Sequence, residues 1–143
     1  MATFIRSFTL FTALLVLAAV SASCSNSNQP TIPTAPTPVT TTETFTGTIN
    51  KNGAFTHTFF TTTTGTVQAT LTALDPESTT NIGFSMGTYS GSTCAVLPAN
   101  DSAVKTSVIT GSVNSAGGNL CIRVYDVGKI TEETTYEVQV VHP

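Results

Sequence analysis

Beyond residue 42 the chain alternates apolar and polar positions with a period of two, and the alternation breaks at short clusters of Gly, Asn, Asp, Ser and Pro. Successive side chains of a strand point to opposite faces, so this pattern predicts half-buried strands joined by tight turns. Phe45, Gly47 and Ile49 alternate with threonines, and Asn50-Lys51-Asn52-Gly53 then supplies a turn from residues that tolerate positive φ. A second strand over residues 54–62 puts Phe55, His57 and Phe59 on one face, and Thr64-Gly65 turns the chain again. In a third strand over residues 66–74, Val67, Ala69 and Leu71 point inward and threonines outward. Asp75-Pro76-Glu77 ends it, because proline cannot donate to a strand ladder. Ile82, Phe84 and Met86 line one face of a fourth strand reaching Tyr89, and a loop containing Gly91, Cys94 and Pro98 is expected after it.

Residues 105–113 read as a strand of open register, since the adjacent Val108 and Ile109 cannot both face a core. Asn114-Ser115-Ala116-Gly117-Gly118 is a turn. Leu120, Ile122 and Val124 alternate with Cys121, Arg123 and Tyr125, which puts the cysteine on the arginine's face, the outer one. A last strand over residues 134–142 places Tyr136, Val138 and Val140 inward. No segment keeps a helical period long enough to predict a helix. Seven or eight short strands with regular turn signals predict an all-β fold, a single antiparallel β-sandwich.

The first 23 residues differ in kind. Met1 to Arg6 carries one positive charge, residues 8–20 are almost wholly apolar, and Ser21-Ala22-Ser23-Cys24 follows. That is the order of a secretory signal peptide ending at a lipidation site on Cys24. The apolar run is short for a permanent transmembrane helix. The alternative is ordinary cleavage after Ala22, which leaves a chain beginning at Ser23. Cysteine parity favours lipidation. Of the three cysteines, Cys24, Cys94 and Cys121, modifying the first leaves a pair able to close a disulfide in an oxidising compartment. Two thiols without neighbouring histidines make a poor zinc site. If Cys121 faces outward, the disulfide straps the segment carrying Cys94 over the sheet surface.

Residues 24–42 form a linker rich in proline and threonine, with hardly an apolar side chain able to anchor a core. Such a stretch is read as a disordered tether or semi-rigid spacer reaching about 55 Å over its length, and its composition also suits an O-glycosylated stalk. The sandwich then occupies residues 43–143. Its charge is sparse and slightly acidic overall, at a formal net −3 for the whole chain, and Lys51, Lys105, Arg123 and Lys129 are scattered. Nucleic acid is not expected as a partner, because phosphate binding needs clustered positive charge.

Candidate chemistry is thin. His57 and His142 are the only histidines. The first is read as a packed structural ring between Phe55 and Phe59, and the second as lying at the fraying end of the last strand. Asp75, Asp101 and Asp126 fall at strand ends or loops, where they are weak candidates for an oxygen-ligand cation site and stronger ones for capping turns. Tyr89 and Tyr125 are the aromatic side chains best placed to stack on a sugar. No catalytic residue, metal or cofactor is expected.

The segments Thr-Phe-Thr-Gly-Thr-Ile (residues 44–49), His-Thr-Phe (57–59), Gly-Thr-Val-Gln-Ala-Thr-Leu (65–71), Ile-Gly-Phe-Ser-Met-Gly (82–87), Leu-Cys-Ile-Arg-Val-Tyr-Asp (120–126) and Tyr-Glu-Val-Gln-Val (136–140) succeed one another along the chain. Together they resemble the bacterial pre-peptidase C-terminal domain. The resemblance implies a jelly-roll-like sandwich and an accessory or binding role without activity of its own. A relative, the clostridial collagen-binding domain, holds calcium through acidic residues near its start, whereas only Glu43 lies there in this chain. The expected function is that of a non-catalytic binding or structural module of the cell envelope, held to the membrane by its lipid anchor, with a polysaccharide or protein as possible ligand. The alternative is an accessory protein that helps a separate secreted hydrolase engage a polymer. An exposed aromatic strip would favour polymer binding, and faces covered in threonine a structural role.

Overall fold

Strand formation follows the period-two pattern closely in the computed structural model, which describes residues 37, 39–76 and 81–143. The expected signal peptide, Cys24 and nearly all of the linker lie outside the described residues. The elements are β1 (Thr41–Ile49), β2 (Ala54–Thr61), β3 (Gly65–Asp75), β4 (Ile82–Ser90), β5 (Thr93–Ala103), β6 (Val108–Val113), β7 (Gly118–Tyr125) and β8 (Thr134–His142). They form two four-stranded sheets, ordered β1-β8-β3-β6 and β2-β7-β4-β5. Neighbours in both sheets are antiparallel.

The topology has a simple origin. β1 pairs with β8, β2 with β7, β3 with β6 and β4 with β5, so the chain is one long antiparallel ribbon doubled back at the β4–β5 turn. Rolling that ribbon up brings β8 against β3 and β7 against β4, which is the arrangement of a jelly roll. The fold is therefore an all-β sandwich, as the strand-and-turn pattern predicts, with the jelly-roll order that the resemblance implies.

Between the sheets lie Val67, Ala69 and Leu71 of β3, Ile82, Phe84 and Met86 of β4, Leu120, Ile122 and Val124 of β7, and Tyr136, Val138 and Val140 of β8, all buried. These are the positions that alternation assigns inward. One side of the sandwich, between the edge strands β1 and β2, is closed by rings. Phe45 stacks on His57 with centroids 5.0 Å apart, Phe55 lies 4.8 Å from the same imidazole, and Phe59 packs 5.1 Å from His142.

Three details depart from expectation. The segment with Cys94 and Pro98 is not a loop but the edge strand β5. Proline is tolerated on an edge at a bulge, and the pairing slips there, with Gly87 opposite Val96 but Ser85 opposite Ala99. As an edge strand over an already covered sheet, β5 also lacks the regular burial alternation that marks the others. The β6 register resolves in favour of Ile109, which is buried while Val108 is exposed, and the strand starts only at Val108 because Lys105 and Thr106 make a turn with Thr106 at φ 75°. His142 is not frayed. It is 3% exposed, bonded through Nε2 to Glu43 Oε1 at 2.9 Å, since β1 pairs along the full length of β8 and covers its end.

Candidate functional site

The side of the sandwich opposite the aromatic seam is not closed in the same way. A cleft of about 410 Å³ lies there, lined by Val67, Met86 and Leu120 from inside the sandwich, Leu97 and Pro98 of β5, and Gly111 and Val113 of β6. Its remaining lining residues include Thr88, Asn114, Ser115 and Asn119, and none of the lining side chains is ionisable. Most of its surface is apolar. The volume falls in the range of small-ligand sites, which are concave and mainly apolar with a few polar groups.

Local sequence explains why space remains. Leu97 and Pro98 together sit opposite the single Met86, in the register slip between β4 and β5, and a bulge bends a strand away from its partner. On the facing sheet Gly111 offers no side chain. A Cβ placed there would come within 2.7 Å of Met86 Cε, so the methionine occupies what a larger residue would fill. Leu97 is 77% exposed beside the cleft, an apolar side chain in water.

The cleft also has a defined place relative to the chain's path. Thr42, Val141, Gln68 and Thr110 form one cross-strand row of the first sheet, leading from the start of β1 to the cleft-lining strand β6. Three strand spacings amount to about 14 Å. The chain thus enters β1 at the end of the sandwich where the cleft lies.

Of the residues singled out by the sequence, Cys94 and Cys121 form a disulfide with Cα atoms 5.9 Å apart. They belong to strands on either side of β4, and two strand spacings in a flat sheet are about 9.6 Å. The start of β5 therefore curls over the outer face of β4 and covers Cys121, which is fully buried although it shares the outer face with Arg123. A strap over the sheet exists as expected, but a strand makes it. Gly87 beneath is required, because a Cβ there would lie 2.1 Å from Ala95 O.

Tyr125 lies along the same outer face. Its ring occupies the space above Gly83, its hydroxyl donates to Asp101 Oδ1, and the Arg123 guanidinium carbon is 5.2 Å from the ring centroid. Burial first, and then the Asp101 bond and charge, push the phenol up to about 12. Tyr125 is paired opposite Gly83, whereas Tyr89 lies six residues further along β4, about 20 Å at strand rise. The two tyrosines do not come together as one stacking surface.

The aspartates are separated too. Asp126 Oδ1 accepts from the backbone N–H groups of Gly128, Lys129 and Ile130 at 2.8 to 3.0 Å, and Oδ2 accepts from that of Asn52 at 2.8 Å. Slight burial pushes its carboxyl up, but the four donors together outweigh it and hold the pKa below the ordinary value. Asp126 is thus a turn-capping residue that ties the β1–β2 turn to the loop after β7. Asp101 is taken by Tyr125, and Asp75 stands opposite Thr135 at the end of β3. Among the described residues no group of three or more His, Cys, Asp or Glu side chains gathers as a metal site.

His57 Nε2 is 2.8 Å from the Tyr136 hydroxyl. Burial lowers the imidazole below 6.5 and pushes the phenol up to about 12, so a protonated phenol meets a neutral ring. The ring is packed, as expected for a histidine between phenylalanines. Gly83-Phe84-Ser85-Met86-Gly87 spells Gly-x-Ser-x-Gly, which elsewhere marks a nucleophilic serine on a strand-to-helix turn. Here it lies wholly inside β4, Ser85 is fully buried, and its Oγ donates to Arg123 O at 3.5 Å. The small residues at alternate positions make room for Tyr125 and β5. No protein-family model matches the chain, and no curated protein does.

Proposed function

We propose that this protein is a non-catalytic binding module of the cell envelope, secreted by its signal peptide and tethered through a lipidated Cys24 by the proline- and threonine-rich linker. The observation that carries the reading is the uncharged cleft at the end of the sandwich where the chain enters β1. The absence of an enzymatic role is supported by how the chemically capable side chains are spent: His57 on Tyr136, His142 on Glu43, Asp101 on Tyr125, Asp126 on its turn. The pairing of Cys94 with Cys121 leaves Cys24 as the cysteine available for modification. The resemblance to pre-peptidase C-terminal domains points the same way. Outward threonines at positions 42, 44, 46 and 48 of β1 support a structural character for that face, and the binding role is assigned to the cleft.

The tether is tested by the intact mass of the protein from its native membrane fraction, before and after reduction. A chain beginning at Cys24 plus acyl groups, gaining two hydrogens on reduction, is the expected result. A chain beginning at Ser23 without lipid overturns the anchor.

A further inference from the structure

We infer that the cleft is a binding site for an uncharged single-chain amphiphile, a neutral lipid with an apolar tail and a hydroxyl- or ester-bearing head. The lining selects against charge. An ionic headgroup entering it would shed water and find no ionisable partner, since the lining side chains are apolar, hydroxyl or amide. The apolar part is matched by Val67, Met86, Leu97, Val113 and Leu120. Met86 is unbranched and polarizable, suited to following the outline of a flexible chain. Asn114, Ser115 and Asn119 offer donors and acceptors that a neutral head can use. Leu97, so exposed in the free protein, gains cover when the site fills.

The choice of a lipid over another neutral ligand rests on the tethered-module reading. The sandwich's first strand starts about three strand spacings from the cleft, at the same end of the domain, and on that reading the chain that leads into it is the chain that ends in the lipid. The nearest abundant source of uncharged apolar ligand is then the membrane itself.

The test uses the mature full chain and the neutral fluorophore N-phenyl-1-naphthylamine, with competitors held below their micellar concentrations. Saturable binding at one site is expected, displaced by 1-monolauroylglycerol at a concentration at least about tenfold lower than by dodecyl phosphate or dodecyltrimethylammonium. Thr88→Trp, which fills the cleft, and Leu97→Asp, which puts a carboxylate beside it, are each expected to weaken the probe about tenfold or more. Thr56→Trp, on the outer face of β2, leaves binding unchanged. Thr88 and Leu97 are both exposed, and circular dichroism checks that each variant is folded. If Thr88→Trp fails to fold, Leu97→Asp alone carries the comparison. Absence of saturable binding, equal displacement by the charged amphiphiles, or parental affinity in the folded cleft variants overturns the inference. So does stronger displacement by N-acetyl-leucyl-phenylalanine amide, which reassigns the cleft to peptides, or a dimer in sedimentation that the probe dissociates, which reassigns it to a second copy. An unlipidated mass overturns the tether without touching the measured preference for neutral heads.

Discussion

The imidazole of His57 lies between Phe45 and Phe55 with its Nε2 on the Tyr136 hydroxyl, and this setting has a consequence in pH. Burial lowers its pKa in the fold below the 6.5 of the unfolded chain. Between those two values the unfolded state binds more protons. This contribution to stability is therefore complete above pH 6.5 and is lost as the pH falls from there toward the lowered value. Urea denaturation at pH 7.5 and 5.0 should show a drop for the parent that is smaller in His57→Phe, which keeps the stacking and cannot titrate. A pH-independent difference between the two proteins would reject the account. A second residue-scale expectation concerns the small positions of β4. Gly87→Ala drives a methyl into the Ala95 carbonyl, which is backbone and cannot rotate away, and should cost about 3 kcal/mol by denaturant midpoint. Gly83→Ala sets its methyl nearest the atoms of the Tyr125 ring, a side chain and not backbone. Its cost should be nearer 1 kcal/mol, with the phenol pKa moving back toward 10 as the Asp101 bond loosens.

Among the elements, β5 is the instructive one. Its start is bound to β7 by the disulfide across β4, closing a loop with a sequence separation of 27. In the loop-entropy description such a link is worth about 3 to 4 kcal/mol, so Cys94→Ala/Cys121→Ala should unfold at lower urea by about that amount. The cleft variants predict a further effect of the double substitution. With the strap gone, Leu97 and Pro98 lose their fixed position, and probe binding should weaken even where the protein remains folded. Seven of the eight strands were legible in the sequence, because each lays one face on the core; in β4, whose other face is covered by Tyr125 and β5, the alternation survives as the small residues Gly83, Ser85 and Gly87. β5 was not, because it is an edge that curls over the outside of its own sheet. Gly91 before it and Pro98 within it read as loop punctuation, while its pairing with β4 carries no side-chain period. The same cause hid the candidate site. Val67, Met86 and Leu120 read correctly as core, but the bulge that leaves their edges uncovered arises from the Leu97-Pro98 register slip, which only the paired strand reveals. The end of β8 is hidden from the sequence for a comparable reason: His142 looks terminal, yet its partner Glu43 lies 99 residues away.

At the scale of the molecule, the ribbon's roll-up makes nearly every pairing long-range, with β1 on β8 and β2 on β7. Folding should be slow for a domain of this size, in the range of milliseconds to seconds, and stopped-flow refolding with the disulfide intact is the measurement that checks it. The roll-up also brings the first and last strands together, Thr41 opposite His142, while Pro143 lies against Gly65. Both routes off the domain thus leave from the end that holds the cleft, and the loops 50–53, 104–107 and 126–133 stand at the other. For anyone building on this scaffold the two poles are not equivalent. A bulky protein joined after Pro143 would crowd the mouth of the cleft, whereas cargo inserted between Thr131 and Glu132, at the far pole, would ride clear of it.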